Sequence, residues 1–143
     1  MTSCQMILAC LLALGLAGGT GPARAGGLED ALLALEGRFE WHAGRAGFVF
    51  SDRPALAAPL EPAPEAQLAT LAACTDDPRP ARATLEGQAV SLGALCYQAL
   101  RLVAYVETAG WPGHIGPQAG PGERRKAREA WQAAIAGGHY RLN

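Results

Sequence analysis

The sequence predicts a mainly α fold: one small irregular helical domain of three to four helices, joined by long Pro/Gly-rich loops, with room for one short β-hairpin and one disulfide. Three observations lead to this expectation. A broad apolar stripe at helical period runs from Ser91 to Glu107. Ten prolines and 18 glycines punctuate the 143 residues. Two cysteines, Cys74 and Cys96, remain once an export signal is removed from the N-terminus.

The signal is read from residues 1–25. The apolar run Met6–Leu16 is followed by a small, Gly-rich stretch ending in Ala23-Arg24-Ala25, the small-x-small pattern a signal peptidase accepts. The run is too short to span a membrane. Its n-region, Met1–Gln5, carries no Lys or Arg, a departure from the usual positive start. A weaker reading takes Ile7-Leu8-Ala9-Cys10 as a lipoprotein box with a lipid anchor at Cys10, which would cut the apolar run in half. Cleavage after Ala25 leaves one domain, residues 26–143, in the periplasm or outside the cell.

The whole chain carries 12 Lys plus Arg against 13 Asp plus Glu; losing Arg24 leaves 11 against 13, a net charge of −2. That balance gives no electrostatic footprint for nucleic acid. With Lys126 the single lysine and Ala, Gly, Pro and Arg abundant, the composition reads as that of a GC-rich bacterial genome. In an oxidising compartment Cys74 and Cys96 are most simply bonded to each other. Such a loop stabilises by roughly 3 kcal/mol in the chain-entropy model.

The elements follow in order. Leu28, Leu32, Leu35 and Phe39 recur at helical steps, with Glu29 and Asp30 favouring a helix start and Gly37 a stop. Phe39 and Trp41, then Phe48 and Phe50, alternate with other residues about a Gly-bearing turn, the pattern of a short hairpin or an extended aromatic flap. Four prolines between Asp52 and Pro64 predict a connector without regular structure. A helix over 64–74 begins at Pro64, and a turn-rich stretch, Asp76–Pro80, follows. Thr84–Val90 predicts a tight turn with one extended residue pair on each side. The central helix, Ser91 to Glu107, has Ser91 as N-cap. One of its faces carries Tyr97, Arg101 and Tyr105 at steps of four. After the loop Gly110–Pro117, a last helix spans Glu123–Ala136.

Catalytic signatures are sparse. His42, His114 and His139 lie in separate non-helical segments without metal-ligand spacing. Ser51 and Ser91 lack a nucleophile turn. Asp76 and Asp77, adjacent and flanked by proline, are expected to point apart as a solvated turn. Arg124-Arg125-Lys126 with Arg128 reads as a solvated helix face or as a surface for an acidic partner. Trp111 and His114 share a loop with fixed turns, the construction of a recognition loop, although a tryptophan after a helix stop more often packs inward.

The function expected is therefore that of an exported small non-enzymatic binding protein of the bacterial envelope, such as an inhibitor or immunity-type partner of an envelope enzyme. It needs no cofactor or metal. Its partner is another envelope protein, met by a surface of Tyr97, Arg101, Tyr105, Trp111 and His114. The alternative is a small envelope hydrolase using Glu107 with His114. A third reading, an accessory of an outer-membrane assembly, goes with acylation at Cys10.

Overall fold

A computed structural model describes residues 23–107, 111 and 114–143. The apolar run of the signal and Cys10 lie outside the described residues, as do Pro112 and Gly113 of the recognition loop. The architecture corrects the mainly α expectation: the described residues form five helices, a four-stranded mixed sheet and a two-stranded sheet.

Helix α1 (Ala23–Ala34) leads into the hairpin of β1 (Arg38–His42) and β2 (Gly47–Phe50). Two short helices follow, α2 (Arg53–Ala57) and α3 (Leu68–Ala73), and then a second hairpin, β3 (Pro80–Leu85) and β4 (Gln88–Ser91). The central helix α4 (Leu92–Val103), a short strand β5 (Ala104–Tyr105), the long helix α5 (Pro121–Gly137) and β6 (Arg141–Leu142) complete the chain. The larger sheet has the order β2-β1-β3-β4. Its two hairpins are antiparallel, while β1 and β3 join in parallel register, with Phe39 opposite Leu85.

The expected aromatic hairpin is present, with Phe39 opposite Phe50 and Trp41 opposite Phe48. The second hairpin contains the tight turn and flanking extended pairs expected at 84–90 and extends beyond them to Pro80 and Ser91. Its two turn residues, Glu86 and Gly87, have φ of 50° and 79°, the left-handed conformations that match the twist of paired strands. Strand β3 is difficult to read because its inward positions are Ala81 and Ala83, residues of low strand propensity. They are small because α1 packs across β3, leaving Ala83 fully buried.

The prolines between Asp52 and Pro64 do not exclude regular structure. Asp52 caps α2 by accepting from the Ala55 N–H at 3.0 Å, and Pro54 lies in the first turn, where no N–H partner is lost. This segment delivers Leu56 and Leu60 to the core.

Helix α4 is the centre of the fold, as its stripe predicts; Leu92, Leu95, Cys96, Ala99 and Leu100 are fully buried. Ser91 caps it through the Ala94 N–H at 3.2 Å. It ends at Val103, not Glu107, because the C-terminal tail occupies its last carbonyls: the Asn143 N–H donates to Val103 at 2.9 Å. Cys74, just past α3, is bonded to Cys96 on α4 with the two Cα atoms 5.9 Å apart. Gly93 lies beside this staple, where a Cβ would stand 2.3 Å from the Thr75 carbonyl oxygen. Only glycine lets the 74–77 turn approach the helix so closely.

Among the described residues no helix is long and apolar enough to cross a membrane.

Candidate functional site

The hairpin β1–β2 projects beyond the core, and its tip faces the outer flank of α4. Between them lie two adjoining clefts of about 210 and 230 Å³ that share Arg45, Val49, Arg53, Gln98 and Leu102 as walls. Each element supplies one cation: Arg45 from the hairpin turn, Arg53 from the start of α2 and Arg101 from α4. Gln98, Arg101 and Leu102 come from one helix face by their spacing of three and four. Arg45 is held by a turn closed through Ala46, a non-glycine residue at φ 47° whose N–H donates to Ala43 at 3.1 Å.

None of these three arginines forms an ion pair with a described carboxylate. Every Asp and Glu of the chain lies within the described residues. Asp52, next to Arg53, is occupied as the cap of α2. His42 and His114 each line one part of the groove, and no carboxylate lines either. Partial burial, then the neighbouring Arg101 charge, holds the His114 imidazole below its ordinary value, so it is mainly neutral near pH 7. Phe48 lines the groove and packs edge-on against Trp41 at 5.3 Å between ring centroids. Trp41 is 61% exposed, the most exposed large hydrophobic side chain among the described residues.

Beside the groove along α4 lies a cleft of about 140 Å³ lined by Tyr97, Trp111, Ile115, Ala127 and Trp131, with Glu123 and Lys126 at its rim. Trp131 is buried and meets half-buried Trp111 edge-on, with centroids 5.3 Å apart at 84°. Burial pushes the Tyr97 phenol up, opposed by the Ile115 backbone and the charges of Arg101 and Arg124.

The five residues expected to form one surface are thus distributed. Tyr97 and Trp111 line the aromatic cleft, Arg101 and His114 the cationic groove, and Tyr105 lines neither. Tyr105 leaves the helix row because the chain turns into β5, where it pairs with Arg141. Glu107 lines a third cleft with His139, Tyr140 and Arg141, so it does not share a cleft with His114. Among the described residues no group of three or more His, Cys, Asp or Glu could hold a metal ion.

The basic cluster of α5 is not a uniform solvated face. Arg124 is 4% exposed and donates from Nη2 to the carbonyls of Pro117 at 2.8 Å and Gly116 at 3.2 Å, which positions the segment carrying His114 and Ile115. Arg128 pairs with Asp76 at 2.7 Å. Asp76 and Asp77 do point apart, but each is engaged, because Asp77 chelates Arg79. Arg45 and Arg53 were not picked out from the sequence: the Gly-bearing turn at 43–47 marks a place for Arg45, but Arg53 falls in a stretch expected to lack regular structure, and no local pattern records their convergence.

The chain matches no family model, no curated protein and no solved structure.

Proposed function

We propose that this protein is an exported, non-catalytic binding protein of the bacterial envelope, whose groove takes an acidic face of a partner protein. The observation that carries the reading is the convergence of Arg45, Arg53 and Arg101, without ion-pair partners, beside exposed Trp41 and half-buried Phe48. Three guanidiniums around one groove give it a positive field that an anionic partner complements. Arginine and tryptophan are also the residues that most often dominate interface energetics. Export is supported by the signal-like N-terminus, and the Cys74–Cys96 disulfide fits an extracellular or periplasmic protein. Inhibition of an envelope enzyme is one form this binding can take.

The test is capture from envelope extracts by the wild-type chain and by an Arg45→Glu/Arg101→Glu variant, read by intact mass. A single stoichiometric partner is expected, released by about 0.5 M salt as screening shortens the reach of charges, and lost from the charge-reversed variant. Capture that persists through the reversal and the salt overturns the reading.

A further inference from the structure

The aromatic cleft and the cationic groove are separated by one thin wall. Tyr97 and Arg101 are successive residues on one side of α4, with Cβ atoms about 6 Å apart by helix geometry. Ile115 and His114 are consecutive in the chain. In each pair the first residue lines the aromatic cleft and the second the groove. A segment lying across α4 here reaches both within about three extended residues, at about 3.3 Å each.

The aromatic cleft has the dimensions of one side chain. Its volume of about 140 Å³ is close to that of apolar cavities that accept a benzene ring, roughly 150 Å³. Trp131 is a fixed wall at 2% exposure, while Trp111 is half-buried.

Charge decides which occupant suits it. Aromatic boxes commonly take cations. Here, however, Lys126 stands at the rim and Arg124 lies close enough to influence Tyr97. The one carboxylate, Glu123, is engaged with the Gly120 N–H at 3.2 Å. Lys126 and Arg124 against this one carboxylate leave the surroundings net positive, which disfavours a cation and suits an apolar group flanked by carboxylates.

We propose that the Tyr97–Trp111–Trp131 cleft is the anchor pocket of the interface and takes one aromatic or branched aliphatic side chain of an acidic partner segment whose carboxylates lie in the arginine groove. This rests on the acidic-partner reading above and adds the chemistry by which the segment is selected. The groove supplies long-range attraction and orientation; the anchor supplies residence.

Three synthetic twelve-residue peptides test it: one rich in Asp and Glu with a single central Phe, the same peptide with Ala for Phe, and the Phe peptide with Asn and Gln for the acids. They are titrated into the exported, disulfide-intact protein and followed by the indole N–H signals of Trp41, Trp111 and Trp131. The acidic Phe peptide is expected to bind at least about tenfold more tightly than its Ala counterpart, near the lower end of what burying such a side chain yields, and to move the Trp111 and Trp131 signals. Trp111→Ala should abolish that advantage; the peptide comparison decides the matter should that variant not fold. Equal, salt-sensitive binding of both acidic peptides overturns the anchor and leaves the acidic-partner reading standing. Binding of the neutral Phe peptide as tight as that of the acidic one overturns the coupling of cleft to groove and the acidic-partner reading with it. No binding of any peptide at millimolar concentration overturns both.

Discussion

The Asn143 side chain closes the C-terminal end of α4: its Nδ2 donates to the Arg101 carbonyl at 2.8 Å and to that of Leu102 at 3.1 Å. Carbonyls in the last turn of a helix have no partner within it, so the tail completes a helix some forty residues earlier and fixes the turn that carries Arg101 into the groove. Asn143→Ala should lower stability by about 1 kcal/mol, the usual net value of such hydrogen bonds. Urea denaturation measures it, and amide exchange should quicken at Val103 and Ala104 before elsewhere. An unchanged midpoint would show that water replaces the tail at no cost.

The disulfide and Gly93 hold one junction, the crossing of the 74–77 turn over the start of α4. Replacing both Cys74 and Cys96 by Ala should cost roughly 3 kcal/mol from loop entropy. Gly93→Ala should cost about 1–3 kcal/mol by overpacking against the Thr75 carbonyl, although alanine is the better helix former. A stabilised Gly93→Ala protein would mean that the turn moves freely.

A stabilising change is expected at Glu86. It is exposed, has φ of 50° and forms none of the described ion pairs. Left-handed backbone costs an ordinary residue about 1–2 kcal/mol, and asparagine less. Glu86→Asn should therefore raise the thermal midpoint, with a gain of about 0.5–1 kcal/mol. Thermal unfolding followed by circular dichroism reads the shift, and a lower midpoint would contradict the turn geometry.

Acid should act through Asp77. Its hydrogen bonds from the Arg79 guanidinium hold the carboxyl below its ordinary value of 3.8. Because the folded value is the lower one, the unfolded chain binds the proton first. This contribution to stability is complete above the unfolded value and is lost as the pH falls through the folded one. Between about pH 5 and pH 2, wild type should lose more stability than Asp77→Asn, which has no charge at this position to lose. Parallel losses would show that Asp77 has no part in acid unfolding.

Much of the local structure was legible. The apolar stripe of the central helix, the Ser91 cap and the Phe39–Phe50 hairpin were read from periodicity and from residues with strong local preferences, whereas the helix expected over 64–74 opens as a 3-10 turn, Pro64–Gln67, before α3 begins at Leu68. Each depends on neighbours within a few positions. Strand β3 was missed because Ala81 and Ala83 resemble helix or loop residues, and their strand conformation comes from β1 on one side and α1 above. Of the site, Arg101 and His114 were picked out and meet in one groove, whereas Arg45 and Arg53 look like ordinary surface arginines until the hairpin folds toward α4.

By itself the sequence determined that α4 is the buried centre and that Cys74 and Cys96 are bonded, since an apolar stripe must be covered and paired cysteines close a loop that the flanking helices can span. Tertiary structure alone decided that α4 stops at Val103, that Arg124 is buried while Trp41 is exposed, and that the expected surface divides at Tyr97 and Arg101 into an aromatic cleft and a cationic groove. The physical reason is range: caps and periodicity act over one or two helical turns, whereas the pairing of Arg38 with Thr84 and the return of Asn143 to Arg101 join residues whose separation no local pattern records.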